Sequence, residues 1–175
     1  MKVGLRLTSG TMIGVVTLAI GTALFLQKVL YLEPCPLCIA QRVLFVLTAI
    51  AVAPVLLSGT VRSALWALPF TFLGLIIGWS LAARHVWITY FPPEDIPGCL
   101  PGLEYLLDTL ALGEALNYLV IGTADCLEDN WSLFGLSIPE YSLLLFTLLF
   151  ILTCRLLRLA LVQRQAGRQA ERSIY

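Results

Sequence analysis

The sequence predicts an all-α membrane protein: a bundle of four transmembrane helices within a single integral membrane domain, residues 1–175. Of its 175 residues, 59% are hydrophobic and only 13% are charged, which is too apolar for a soluble domain of this length. A bilayer core of about 30 Å requires about 20 apolar residues in a helix. Four stretches approach that length, over residues 13–32, 39–57, 65–83 and 138–154.

The first span resembles a secretory signal at its start, because Lys2 and Arg6 precede it. Its apolar part is longer than that of a signal peptide, and no small-residue cleavage site follows it. We therefore expect a retained transmembrane helix.

The distribution of basic residues predicts the orientation of the spans. Eight of the eleven Lys and Arg residues lie in the N-terminal segment, the short second connection and the C-terminal tail. The positive-inside rule assigns these segments, and so both termini, to the cytoplasm. The connections over residues 33–37 and 90–137 are then outside. The net charge of zero also leaves no basic surface for a run of phosphates, which excludes nucleic acid as a partner.

The second span is expected to begin inside the motif Cys-Pro-Leu-Cys over residues 35–38, because proline is favoured as a first helical residue. Cys38 then lies among the unpaired N–H groups of the first turn, where the helix dipole favours a thiolate. Arg42 follows one turn later on the same face, and its guanidinium is expected to approach the sulfur. The alternative role for Arg42 is an anchor that reaches the lipid headgroups.

The third span ends near the only histidine of the chain. His85 is expected at about the same membrane level as Cys38 and Arg42. Its ring is suited to donate a hydrogen bond to a carbonyl ligand, although an interfacial polar residue would fit equally well. A single histidine argues against a bis-histidine haem. In the same span, Gly74 and Gly78 predict a close helix contact inside the bundle.

The long outer connection carries a predicted amphipathic helix. Apolar residues recur near helical spacing from Leu103 to Val120, among acidic and amide side chains. A helix with this pattern fits the membrane surface, or a small cap packed over the bundle. Either placement would restrict the movement of the connection.

Four of the five cysteines fall on the predicted oxidising side, where disulfides persist: Cys35, Cys38, Cys99 and Cys126. Their spacing allows disulfides that staple the loops, a zinc site or redox-active thiols. Structural zinc requires four converging ligands, often supplied as two closely spaced pairs. Only one closely spaced pair is present, so we predict no metal. Cys154, near the inner end of the fourth span, is expected to be a buried small hydrophobe.

Two segments resemble the DsbB family of disulfide bond formation proteins. They are CPLCIAQR over residues 35–42 and ADCLEDNWSLFGLSIPEY over residues 124–141, and the order of spans, loops and cysteines agrees over most of the chain. The resemblance implies a multi-pass enzyme of the bacterial inner membrane, a quinone-dependent protein thiol:disulfide oxidoreductase. It further implies bound ubiquinone or menaquinone and a soluble periplasmic partner with a thioredoxin fold, DsbA. Some relatives carry an acidic residue where this chain has Gln41.

Carried over by position, the resemblance also assigns roles to the four cysteines. Cys99 and Cys126 would form the disulfide that faces the partner, and Cys35 and Cys38 would form the pair linked to quinone. Exchange between the pairs would pass through a transient bond between Cys126 and Cys35. Cys38 would then contact the quinone.

By the same resemblance, Arg42 would lie beside the quinone and His85 would be a quinone-site histidine. A vitamin K epoxide reductase relative is a rival from the same chemistry, but there the Cys-x-x-Cys motif comes late in the chain and here it comes early. A rival from another class is a non-enzymatic membrane scaffold or small transporter with structural disulfides. Such helices should carry polar groups along a path, and apart from Gln41 and Arg42 they largely do not.

Overall fold

A computed structural model of the chain describes residues 2–31, 34–92, 126 and 132–172. Within this described part, four long helices are each apolar enough to cross a bilayer. The elements are α1 (Lys2–Val29), α2 (Pro36–Ser58), α3 (Val61–Tyr90), β1 (Ser132–Leu133), β2 (Leu136–Ser137) and α4 (Ile138–Arg172). The predicted four-helix fold class is confirmed. The amphipathic helix predicted between Leu103 and Val120 lies outside the described residues.

The helices are mostly longer than the apolar stretches that predicted them. Only α1 stops early, at Val29 instead of residue 32. Helix α4 continues to Arg172, because its last turns are rich in Arg, Gln and Ala, which are good helix formers. The ends of several helices therefore project beyond the apolar stretches and carry polar or thiol side chains.

Helix α2 begins at Pro36, as predicted from the sequence. Cys35 caps the helix, and its sulfur accepts a hydrogen bond from the backbone N–H of Cys38 at 3.4 Å. This contact satisfies one of the N–H groups that have no partner within the helix. Both cysteines of the motif are thereby fixed relative to the first turn of α2.

A two-residue connection joins α2 to α3. Gly59 ends α2 in the left-handed conformation with φ 61°, and its N–H donates to the carbonyl of Val55 at 2.8 Å. Thr60 caps α3, and its hydroxyl accepts from the N–H of Ser63 at 3.3 Å. The tight connection makes the two helices antiparallel neighbours, so the start of α2 and the end of α3 lie at the same end of the bundle.

The four helices pack in a ring, in which α3 contacts α2 and α4, and α1 contacts the same two helices. Phe45 and Phe146 stack at the centre with ring centroids 4.1 Å apart. Gly78 faces this stack, and a Cβ at that position would clash with the ring of Phe146. The close contact expected at Gly78 is therefore confirmed inside the bundle.

The outer surface of the described helices is covered by large apolar side chains, as a lipid-facing surface requires. Trp66, Phe70 and Ile151 are among those that are exposed to the surroundings. The interior instead contains small and polar residues, including Ser9, Thr71 and Thr153. Each of these three hydroxyls donates to a carbonyl one turn earlier in its own helix, so the polar groups are satisfied internally.

A small hairpin leads into α4, and the sequence analysis did not predict it. Phe134 and Gly135 form its two-residue turn with φ 52° and 81°, values typical of a type I′ turn. Ser137 then caps α4, and its N–H donates to the carboxylate of Glu140 at 2.6 Å. The hydroxyl of Tyr90 also donates to Glu140, at 3.0 Å. The end of α3 is thus tied to the start of α4.

Candidate active site

Three separate parts of the chain bring thiols and a histidine together at one end of the bundle. Cys35 and Cys38 come from the start of α2, His85 from the last turns of α3, and Cys126 from the connection between α3 and α4. Their exposed fractions are 2%, 8%, 0% and 1%. We call this group the thiol–histidine cluster. Four of the six predicted site residues are therefore close to one another and shielded from solvent.

The imidazole of His85 lies between the two thiols of the Cys-x-x-Cys motif. Its Nε2 atom is 3.8 Å from the sulfur of Cys35, and its Nδ1 atom is 4.0 Å from the sulfur of Cys38. The ring is fully buried, so the interfacial placement considered from the sequence does not apply. One ring can thus exchange hydrogen bonds with both thiols.

Cys126 approaches the same group from the third segment. Its sulfur, the sulfur of Cys35 and a ring nitrogen of His85 all lie within 4.8 Å of one another. A disulfide bond is about 2.0 Å long, so a modest movement would join Cys35 to Cys126. The arrangement brings together one thiol from each predicted cysteine pair.

The thiol of Cys35 has competing influences. The hydrogen bond with Cys126 lowers its pKa, but the hydrogen bond with Cys38 and burial raise it, and the net pKa of Cys35 lies above the ordinary value. A raised pKa disfavours the thiolate at neutral pH. Cys35 is accordingly a thiol at rest and a poor attacking group by itself.

Gln41 belongs to the site, although the sequence analysis gave it no role. Its side chain is 2% exposed, and its Nε2 atom is 3.5 Å from Nδ1 of His85. An amide nitrogen donates only, so Nδ1 accepts and the proton of the neutral ring is on Nε2, facing Cys35. The available signal was position, since Gln41 follows Cys38 by three residues and shares the buried face of α2 with Phe45.

Arg42 contacts a different helix from the one expected. Its half-buried guanidinium donates from Nη1 to Oε1 of Gln27 on α1 at 2.7 Å. Among the described residues it therefore binds an amide oxygen and not, as predicted, the sulfur of Cys38. The physical reason is that an amide oxygen is a stronger hydrogen-bond acceptor than a thiol sulfur.

The two remaining cysteines are Cys99 and Cys154. Cys99 lies outside the described residues. Cys154 is half-buried and lies about 24 Å along α4 from the first residue of that helix. It is therefore at the opposite half of the bundle, in agreement with its predicted position.

Comparison with known proteins gives a consistent result. A model of the family described as "Disulfide bond formation protein DsbB" matches residues 6–156. A protein named Disulfide bond formation protein B from Chromohalobacter salexigens is 36% identical over 167 residues, covering 93% of this chain and 96% of that protein. A protein of the same name from Acinetobacter baumannii is 36% identical over 156 residues, covering 88% and 91%.

A third relative, Disulfide bond formation protein B 1 of Pseudomonas aeruginosa, is 40% identical over 127 residues, covering 72% of this chain and 78% of that protein. The family match includes α2, α3 and about the first half of α4, and so contains every residue of the thiol–histidine cluster. The chain therefore belongs to the DsbB family of disulfide bond formation proteins.

Proposed function

We propose that this membrane oxidoreductase reoxidises a periplasmic dithiol partner with a thioredoxin fold, DsbA-like, and passes the electrons to ubiquinone or menaquinone in the bacterial inner membrane. The single observation that carries this proposal is the meeting of Cys126 with Cys35 and His85 within 4.8 Å. Cysteines that only staple loops need no contact between pairs. Cysteines that exchange electrons between pairs do need it.

The first half of the proposed cycle uses Cys99 and Cys126. A thiolate of the partner attacks Cys99, and the Cys99–Cys126 disulfide opens. The second thiol of the partner then attacks this mixed disulfide. The partner leaves with an internal disulfide, and Cys99 is left as a thiol. Two electrons and two protons have moved from the partner to Cys99 and Cys126.

The second half transfers this reduction to the motif. Cys126 attacks Cys35 in the Cys35–Cys38 disulfide, and Cys38 leaves as the thiolate. Cys99 next attacks Cys126, which restores the Cys99–Cys126 disulfide and leaves Cys35 and Cys38 reduced. In this sequence the position of Cys126 against Cys35 supports the first exchange, with both sulfurs buried.

His85 and the start of α2 are suited to stabilise the leaving Cys38. The first-turn N–H groups and the helix dipole favour a negative charge at that position. When Cys35 is a thiolate and Cys38 a thiol, Nδ1 of His85 can take up the Cys38 proton in place of the amide N–H of Gln41, while Nε2 gives its proton to Cys35. The ring can therefore move a proton between the two thiols as their charges change.

The residues around Cys38 also fit a quinone. A guanidinium has five N–H donors, and Gln27 accepts from one of its nitrogens, which leaves donors on Arg42 for a carbonyl oxygen. A bound quinone supplies a two-electron, two-proton acceptor. Arg42 and His85 would orient it and Cys38 would face it, while the apolar surroundings exclude water.

The orientation of the chain completes the proposal. The thiol–histidine cluster lies at one end of the bundle, and Arg155, Arg158 and Arg164 lie in the other half of α4. The positive-inside rule then assigns the cluster to the periplasm and both termini to the cytoplasm. This is also the compartment in which disulfides persist.

The decisive experiment is thiol oxidation by the purified chain in lipid nanodiscs. We expect a reduced thioredoxin-fold dithiol protein to be oxidised only when ubiquinone or menaquinone is present. One quinone should be reduced for each dithiol that is oxidised. Cys126→Ser should abolish this turnover, and Cys154→Ser should retain it as the matched control. Disulfides that stay inert with quinone would instead favour the membrane scaffold or transporter.

A further inference from the structure

Cys35, His85 and Cys126 form a set of potential metal ligands that their sequence spacing did not suggest. The ring nitrogen and both sulfurs are within 4.8 Å of one another, and all three residues are buried. They come from three different segments, so no short sequence motif contains all three ligands. Two thiolates and an imidazole are the ligands that zinc prefers.

The distances already approach those of a metal centre. Ligands about 2.3 Å (sulfur) and 2.1 Å (nitrogen) from a tetrahedral zinc ion are separated by about 3.6 Å. Nε2 of His85 is 3.8 Å from the sulfur of Cys35. Cys126 needs to move by at most about 1 Å to complete a three-ligand geometry, because no two of these ligand atoms are more than 4.8 Å apart.

Charge balance favours a divalent cation in this buried position. A site enclosed by the bundle excludes an uncompensated charge. Two thiolates and one neutral imidazole cancel the charge of a divalent ion. The guanidinium of Arg42 is bound to Gln27 and adds no positive charge to the set through direct contact.

We infer that the fully reduced cluster is a redox-gated binding site for Zn²⁺, with Cys35, Cys126 and Nε2 of His85 as ligands and water in the fourth position. Binding releases the two thiol protons, moves the ring proton of His85 from Nε2 to Nδ1 and transfers no electrons. The amide of Gln41, 3.5 Å from Nδ1, must then turn so that its oxygen accepts that proton. Cys38 is not a ligand, because its sulfur faces the opposite nitrogen of the ring. Any disulfide that contains Cys35 or Cys126 removes a ligand and abolishes the site.

The inference rests on the proposed function in one respect, namely that the same thiols cycle between reduced and oxidised forms. A bound ion would occupy both sulfurs that must exchange, and so would hold the enzyme in its reduced state. Zn²⁺ is therefore expected to inhibit reversibly and only while the chain is reduced. Oxidised protein should be insensitive to the ion.

The direct test uses Co²⁺ as a spectroscopic probe of the purified chain, with excess reductant removed. Fully reduced protein should bind one Co²⁺ per chain with a thiolate-to-cobalt charge-transfer band, and added Zn²⁺ should erase that band. The same preparation after oxidation should show no band. Because this comparison changes only the redox state, it does not depend on how well a variant folds.

Variants then identify the ligands. Cys35→Ser, Cys126→Ser and His85→Asn should each lose the band, while Cys38→Ser and Cys154→Ser should keep it. A band that persists in Cys35→Ser or in oxidised protein, or that disappears in Cys38→Ser, would overturn the assignment, as would no binding by the reduced chain.

The cobalt measurement is independent of catalysis, so the two proposals can fail separately. Metal-free chain that binds Co²⁺ when reduced but shows no quinone-dependent thiol oxidation would refute the proposed function and retain the site. Metal-free chain that turns over but binds no Co²⁺ would do the reverse.

Discussion

His85 and Gln41 are a polar pair held inside a bundle whose surroundings are apolar. An unpaired polar side chain in such a place costs several kcal/mol, on the order of 2–7 kcal/mol. Among the described residues, no buried side-chain nitrogen or oxygen lacks a hydrogen-bond partner. The pair is thus maintained by mutual contact, and the contact fixes which ring nitrogen faces each thiol.

Arg42 is expected to act on the quinone through its charge. We predict that Arg42→Gln raises the KM for quinone about tenfold or more with partner exchange intact, because a hydrogen bond to a charged group contributes about 1.5–3 kcal/mol. Arg42→Lys should restore part of the affinity, since lysine keeps the charge and loses the planar fork. Steady-state thiol oxidation against quinone concentration measures both.

The matched control for Arg42 is its partner on α1. Gln27→Leu removes the acceptor at 2.7 Å and leaves the guanidinium in place, so the KM should stay near that of the parent chain. An equal rise in both variants would show that the link between α1 and α2 matters instead of the charge. An unchanged KM in Arg42→Gln would make Arg42 a lipid anchor.

At the residue scale, the sequence identified cysteine chemistry but not the contacts. Cys38 in the first turn of α2 was predictable, because proline and helix capping are local effects. The burial of His85 depends on the rotation of α3 against its neighbours, which a short motif does not report. The hydrogen bond from Arg42 to Gln27 depends on how α1 packs against α2, and so the α2 sequence alone could not predict it.

At the element scale, helix approach is set by a few small residues. We predict that Gly78→Ala lowers the free energy of unfolding by about 1–3 kcal/mol, because the added carbon meets the ring of Phe146. Reversible unfolding in mixed micelles is the measurement. Gly14→Ala is the control, since its added carbon would meet nothing within 4 Å.

Relief of the clash provides the stricter test of Gly78. Phe146→Leu shortens the side chain that faces the glycine, and so the double variant should lose less stability than the sum of the two single changes. Additive losses would mean that Gly78 acts through something other than this ring. The Gly74–Gly78 spacing predicted a close helix contact, but only the tertiary structure identifies Phe146 on α4 as the residue that Gly78 contacts.

The ends of helices and strands were likewise predictable only where a local sequence signal marks them. The start of α2 follows from Pro36, whereas the β1–β2 hairpin escaped prediction because two-residue strands carry no measurable alternation. The turn residues Phe134 and Gly135 fit a hairpin once the pairing is known. Short paired elements are therefore harder to predict than long apolar helices.

At the scale of the whole molecule, the thiol–histidine cluster and the arginines of α4 occupy opposite ends of the bundle. In a chain with all five cysteines replaced by serine, we predict that Phe134→Cys reacts with an impermeant thiol reagent in intact spheroplasts and that Arg172→Cys reacts only after lysis. Both positions are exposed, Phe134 by 93%. Cys126 is 1% exposed and would be a poor reporter. The reverse pattern of labelling would invert the orientation.

The hydrogen bond from Tyr90 to Glu140 joins the end of α3 to the start of α4, the two ends of the chain connection between these helices. Loop-closure entropy grows slowly with length, by about 0.6 kcal/mol for each doubling, so insertions between these two residues are expected to destabilise the framework little. The bundle thus fixes the two ends of this connection, at Tyr90 and Glu140, whatever the length of chain between them. Relatives of this chain can therefore differ in the length of this connection while Cys35, Cys38 and His85 keep their places at the end of the bundle.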